Sequence, residues 1–260
     1  MTKVAIFGTG HLAKTLLKGL NLIRNEPILL YGRSSFKANQ LKQVYQNLIL
    51  VKDAIELAKA EVIFLLIPAN AILTLEPSFL QEVKHSVLIF CANSLTVEDL
   101  QQRLGVEKIV KLLPNIHWQY LKGVMLLRSS VAVSEKEIAF LSNLGKVHKV
   151  ASEQDFDHMT LFTSCLPGLI AEMLKTMSEN VGILNQQQKE LFLLTVLTTV
   201  ESIYNSNQDF DQIIEEVANK GGLTEVGIKV LNKYLPLVFQ EMVQKMNIKI
   251  LDRKESLAKG

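Results

Sequence analysis

The 260-residue sequence predicts an α/β fold in two parts: a parallel sheet wound with helices, followed by an all-helical domain. Three observations carry this. Short β-like runs alternate with helical stretches from Met1 to about Val150. A glycine-rich turn directly follows the first of those runs. After about Glu153 the β-like runs disappear and long stretches with helical spacing take over.

In chain order, the candidate strands are Val4–Phe7, Ile28–Tyr31, Leu48–Val51, Val62–Ile67, Val87–Phe90, Ile109–Leu112 and Val124–Leu127. Several are continuous apolar runs, the pattern of strands covered by helices on both faces. Pro68 stops the fourth. The candidate helices of the second part are roughly Asp155–Ser178, Gln186–Asn205, Asp209–Asn219 and Thr224–Leu251. Pro167 and Gly168 interrupt the first of these, and Lys220-Gly221-Gly222 separates the last two; such breaks in a helical domain often line a site. The tail from Lys249 to Gly260 reads as a helix end fraying into solvent. The expected domains are 1–152 and 153–260.

Composition narrows the function classes. Hydrophobic residues make up 48%, charged residues 21%, and the net charge is +2, which disfavours both disorder and a nucleic-acid binder. Cys91 and Cys165 are the only cysteines, so a disulfide scaffold and a cysteine zinc site are excluded and a reducing cytoplasm is expected. His11, His85, His117, His148 and His158 lack metal-ligand spacing, and no metal is expected. The first apolar run is cut by Gly8 and Gly10, which argues against an export signal. Leu191–Val200 is about ten residues long where a membrane span needs about 20, so no membrane partner is expected.

The turn Gly8-Thr9-Gly10-His11-Leu12-Ala13 follows a strand and opens a helix, giving the G-x-G-x-x-G/A pattern with alanine in third place. Gly8 permits the tight turn, Gly10 lets backbone amides approach a pyrophosphate, and Ala13 lets the helix pack near the strand. The first part is therefore expected to be a Rossmann-type dinucleotide-binding domain. An NAD site would carry Asp or Glu about 20 residues after the glycines. The second strand ends instead in Tyr31-Gly32-Arg33-Ser34-Ser35, where Arg33 and Ser34 suit a 2′-phosphate, so NADP(H) is preferred to NAD(H). Asn93-Ser94, after the fifth strand, falls at the carboxyl edge of the sheet where such folds place ligands.

These residues resemble the pyrroline-5-carboxylate reductase family, over nearly the whole chain. The family's nucleotide turn matches Gly8–Ala13, its Asn-Arg-Ser turn is similar to Gly32-Arg33-Ser34, and its Met-Pro-Asn segment looks like Leu113-Pro114-Asn115. Its Ser-Gly-Ser-Gly-Pro-Ala-Tyr segment corresponds to Thr163-Ser164-Cys165-Leu166-Pro167-Gly168-Leu169, and its Pro-Gly-Gly-Thr-Thr segment to Lys220-Gly221-Gly222-Leu223-Thr224. The resemblance implies reduction of a cyclic imine to proline, with hydride passing from nicotinamide to the imine carbon and the hydroxyl of Thr224 contacting the ring nitrogen. It also implies that Gly221 and Gly222 present amides to the substrate carboxylate and that Ile67, Pro68 and Asn115 complete the cofactor contacts. A helical domain that assembles into dimers or larger homo-oligomers is implied too.

Leu166 stands where the family has glycine, Leu169 where it has tyrosine, Asn219 where it has serine and Lys220 where it has proline. Leu166 narrows the pocket, and Lys220 offers a second cation for a carboxylate. Cys165 near Pro167, together with Lys-Gly-Gly, is similar to divergent paralogues associated with bacterial late-competence operons. Cys165 falls in the substrate segment, although a small buried hydrophobe is the commoner role of such a residue. His117 and Trp118 read as packing or loop residues, and His11 either donates to the pyrophosphate or faces solvent. The stripes at 162–177 and 192–200 read as core or dimer interface. Two other classes remain. A hydroxyacid dehydrogenase would need Lys-x-x-x-Asn, whereas Lys175 and Asn180 have one residue too many between them. A non-catalytic NADPH-binding paralogue is suggested by Leu166 and Leu169.

Overall fold

The computed structural model describes residues 2–206 and 209–258. Its strands are β1 (Val4–Phe7), β2 (Ile28–Tyr31), β3 (Leu48–Leu50), β4 (Val62–Leu65), β5 (Val87–Phe90), β6 (Ile109–Pro114), β7 (Gly123–Ser129) and β8 (Gly145–Lys149). They form one eight-stranded sheet in the order β3-β2-β1-β4-β5-β6-β7-β8. The order reverses at β1, and that reversal opens a crevice at the carboxyl ends of β1 and β4. Side chains alternate across the sheet. Val4, Ile6, Val62, Phe64 and Ile89 join one buried cluster, and Ala5, Phe7, Ile63, Leu65 and Phe90 join the other. Both faces are therefore covered, as the continuous apolar runs foretold.

Three features depart from expectation. The sheet is not wholly parallel, because β7 runs antiparallel to β6. The link between them holds only the short 3-10 helix Ile116–Tyr120, too little chain for a parallel crossover. β8 was not expected. Its sequence, Gly-Lys-Val-His-Lys, is half-exposed edge strand without an apolar run. β4 stops at Leu65, two residues short of the predicted end, and Pro68 is already the N-cap of the next helix.

The helices of the first half are α1 (His11–Ile23), α2 (Ser35–Val44), α3 (Ala69–Leu73), α4 (Pro77–Glu82), α5 (Val97–Leu104) and α6 (Glu135–Ser142). Then come α7 (Glu153–Thr163), α8 (Leu166–Val181), α9 (Gln186–Ser206), α10 (Phe210–Val217) and α11 (Leu223–Ala258). The predicted helix 155–178 is thus two helices, parted at Ser164-Cys165 just before Pro167. The tail does not fray where expected: α11 continues to Ala258, and Lys254 pairs with Asp157 of α7. Lys259 and Gly260 of the predicted tail lie outside the described residues.

The chain divides into two compact units, one running to Pro167 and resuming at Lys249, the other Gly168–Ile248. In the second unit α9 and α10 bury no residue. Along α8, Leu166, Ile170, Met173, Met177 and Val181 form an exposed apolar stripe at helical spacing. Among the described residues no helix is long and apolar enough to cross a membrane.

Trp118 shows how the first unit locks. It is fully buried, and its indole Nε1 donates to Thr15 Oγ1 of α1 at 2.8 Å. Trp118→Ala is expected to lower the unfolding free energy by about 3–5 kcal/mol in a denaturant titration, with an unchanged fold by circular dichroism below the transition.

Candidate active site

The chain leaves β1 through a turn that only glycine can make. Gly8 has φ +135°, and a Cβ there would lie 2.2 Å from the Leu66 carbonyl oxygen. The Gly8 amide donates to Tyr31 O at 2.8 Å, and the Leu66 amide donates to Phe7 O at 2.8 Å, so the ends of β1, β2 and β4 are drawn together. Gly10 is the N-cap of α1, with no side-chain cap, no acidic residue in the first turn, and nothing within 4 Å of where its Cβ would be. Amides at a helix start, open space and no competing carboxylate make an anion cradle. Thr9 packs on Gly32, His11 is exposed as the first residue of α1, and Leu12 is partly packed on the core.

Beside this turn lies a cleft of about 490 Å³ lined by residues including Phe7, Tyr31, Arg33, Asp53, Ile67 and Phe79. Phe7 and Tyr31 meet edge to face, with centroids 5.0 Å apart. Arg33 is exposed at the rim, and Ser34 caps α2 by accepting from the Lys37 amide at 3.4 Å. Gly8, Gly10, Arg33 and Ile67 are therefore gathered at one edge of the sheet. Farther along that edge, Pro68 is the N-cap of α3. Asn93 follows β5, with its Oδ1 buried and lacking a hydrogen-bond partner. Asn115 Oδ1 is committed locally, accepting from the amides of His117 and Val124 at 3.1 Å each. Its role is first to shape the β6–β7 turn.

Cys165 sits between α7 and α8, where burial raises its thiol above the ordinary range against the opposing pull of Arg253. Burial also pushes the Cys91 thiol up, so neither cysteine is an activated nucleophile. Among the described residues no cluster of His, Cys, Asp or Glu is placed to hold a metal ion.

In the second unit, Lys220 and Thr224 are exposed on either side of the glycine turn that starts α11. Gly221 has φ +78°, and its amide donates to Glu225 Oε2 at 2.6 Å. The Gly222 amide donates to Asn219 O at 2.8 Å. The expectation of two amides free for a substrate carboxylate is thus corrected, since one closes the turn and the other already holds a carboxylate of the chain. Lys229, at 2.9 Å, and the Gly221 amide hold the Glu225 carboxyl below the usual carboxylate range.

Lys111 lies outside the motifs that the sequence singles out. In β6 its side chain is 1% exposed, and Nζ donates to Glu153 Oε2 at 2.8 Å and to Asn93 O at 3.2 Å. Burial pulls its ammonium below the ordinary lysine value, against the opposing charge of Glu153. The available signal was a lone lysine inside an otherwise apolar strand, Ile-Val-Lys-Leu-Leu.

Residues 153–255 match the family model for pyrroline-5-carboxylate reductase dimerisation, and residues 3–94 match the model for NADP oxidoreductase, coenzyme F420-dependent. Pyrroline-5-carboxylate reductase 2 of Bacillus subtilis is 23% identical over 245 residues, covering 89% of this chain and 87% of that protein. Pyrroline-5-carboxylate reductase of Methanobrevibacter smithii is 25% identical over 252 residues, covering 88% of this chain and 97% of the relative. Over most of its length the chain is similar to pyrroline-5-carboxylate reductases. It is an NAD(P)-dependent oxidoreductase acting on a CH–NH group. It shares its fold with the NADP-bound pyrroline carboxylate reductase of Plasmodium falciparum, with TM-score 0.79 and 22% identity over 98% of this chain and 97% of the other.

The two glycines of the turn have separable jobs. Gly8→Ala is expected to lower the melting temperature, because its methyl meets backbone. Gly10→Ala should leave the melting temperature within a degree or two, because its methyl meets no atom of the chain, while filling open space at the start of α1 and so weakening any anion held there. Thermal melts paired with fluorescence titrations read both.

Proposed function

We propose that the protein reduces 1-pyrroline-5-carboxylate, or a related cyclic imine, to proline or the corresponding cyclic amino acid, with NADPH as reductant. The observation that carries this reading is the open, uncapped turn at Gly10 beside Arg33, with no carboxylate following β2. Space and donors both suit a dinucleotide bearing a 2′-phosphate, and the NADP bound by the Plasmodium falciparum relative supports the same choice.

Gly8, Thr9, Gly10, His11 and Leu12 hold the pyrophosphate on the start of α1, and Arg33 with Ser34 holds the 2′-phosphate. Ile67, Pro68, Asn93 and Asn115 border the remainder of the cofactor. When bound, NADPH would supply the hydride equivalent for the imine carbon, with solvent water as the source of the proton that the ring nitrogen gains. The chain's own work is to bind and orient. The Thr224 hydroxyl takes the ring nitrogen, and Lys220, beside the Gly221-Gly222 turn, takes the carboxylate. Because Glu225 already occupies the Gly221 amide, the exposed Lys220 is the stronger anchor for that carboxylate. Cys165 borders the substrate as a small apolar wall.

A second copy of the chain is the partner. The exposed stripe of α8 and the unburied faces of α9 and α10 need cover, and they fall within the residues matching the dimerisation model. Two unpaired cysteines suit a reducing cytoplasm.

The test is NADPH consumption by purified protein with pyrroline-5-carboxylate. Thr224→Ala is expected to lower kcat by about 10- to 100-fold with NADPH affinity unchanged, as loss of a transition-state hydrogen bond requires. Full activity in that variant removes Thr224 from the mechanism. Arg33→Ala is expected to raise the KM for NADPH by about 10- to 100-fold while leaving that for NADH unmoved, since a bond to a charged group contributes about 1.5–3 kcal/mol. An equal effect on both cofactors overturns the 2′-phosphate assignment.

A further inference from the structure

One carboxylate, Glu153 at the start of α7, gathers two cations that tie down both ends of the segment following β5. Its Oε2 accepts from Lys111 Nζ at 2.8 Å, and the same ammonium donates to the backbone oxygen of Asn93. Its Oε1 lies 3.6 Å from Arg128 Nε, and the far side of that guanidinium pairs with Glu98 in the first turn of α5. Between Asn93 and Glu98, Thr96 caps α5 through a reciprocal bond with Asp99. The Phe156 ring closes over the Lys111 ammonium, 4.5 Å from centroid to Nζ.

Such an arrangement is costly. Desolvating a lysine and a carboxylate consumes most of what their attraction returns, and apolar side chains of similar size often hold a core together as well or better. A buried cation that bonds a loop carbonyl nevertheless does what no apolar side chain can: it fixes where that carbonyl lies. Here the carbonyl belongs to Asn93, whose own side-chain oxygen is buried and without a partner. The sheet order sets β2 and β5 on opposite sides of β1, so the adenosine half of a dinucleotide falls to the β2 side and the nicotinamide half to the β5 side.

The geometry points to Lys111 as a positioning residue that, by fixing the Asn93 carbonyl, sets the 93–98 segment against the nicotinamide half of the bound dinucleotide. This rests on the NADPH reading above. Lys111 acts through Asn93 and touches no reacting atom.

The test uses equilibrium fluorescence titration with two ligands, NADPH and adenosine 2′,5′-bisphosphate, the second bearing the 2′-phosphate but no nicotinamide. Lys111→Met is made together with Glu153→Gln so that no unpaired carboxylate is left buried, Lys111→Arg serves as the rescue, and Glu98→Gln loosens the other tie from the surface. In the paired variant the Kd for NADPH is expected to rise about tenfold while that for the bisphosphate stays put. Lys111→Arg should stay near the parent, and Glu98→Gln should show the same selective loss in smaller measure. Equal weakening of both ligands means a merely structural role and overturns the proposal, as does unchanged NADPH binding in the paired variant or, should that variant fail to fold, in Glu98→Gln. A parent protein that binds the bisphosphate but gains nothing from the nicotinamide half overturns the positioning role alone. A parent that binds neither ligand overturns the cofactor reading, and this role falls with it.

Discussion

The first unit is organised around the passage of Gly8 against the Leu66 carbonyl, an approach that leaves no room for a side chain. Because the backbone passes there, the Leu66 amide can bond Phe7 and the Gly8 amide can bond Tyr31, which draws the ends of the three central strands together. α1 must then start immediately, with Gly10 at its head and its first amides turned to open space. Ala13, fully buried, lets that helix lie close to the sheet, where Leu16, Leu17 and Leu20 fill the buried cluster on one face. Glycine turn and hydrophobic core are thus consequences of the same steric condition.

Charge is used sparingly inside this frame. Lys111, Glu153 and Arg128 form a chain from the middle of the sheet to α7 and α5, while most other ion pairs lie at the surface, where they contribute little. The second glycine turn shows the same economy. Glu225 supplies from within the chain the anion that the Gly221 amide would otherwise lack, and the turn is closed by the chain's own groups.

The pattern of the sheet was legible where burial is two-sided, because strands such as Val4–Phe7 and Val87–Phe90 carry the constraint in every residue. β8 was not, since Gly145–Lys149 lies half exposed at an edge and shows no apolar run. The antiparallel turn of β7 was not legible either, because periodicity reports which face a residue takes and says nothing of the direction in which a strand runs. The glycine turn, Arg33 and the break at Lys220–Gly222 could be found from local chemistry. Glu225 as a cap and Lys111 as a clamp could not, because each has its role through a partner that the sequence alone does not place.

By itself the sequence determined the alternating then all-helical plan, the glycine turn at the end of the first strand, the missing carboxylate after the second, and an apolar surplus in the later helices. These are local matters of sterics, charge and period, readable within a few residues. Tertiary structure alone decided that Lys111 meets Glu153 across 42 positions and Trp118 meets Thr15 across 103. It also decided that the Asn93 carbonyl lies within reach of a buried ammonium. Those contacts depend on which strands become neighbours, and strand order emerges only when both faces of the sheet are covered at once.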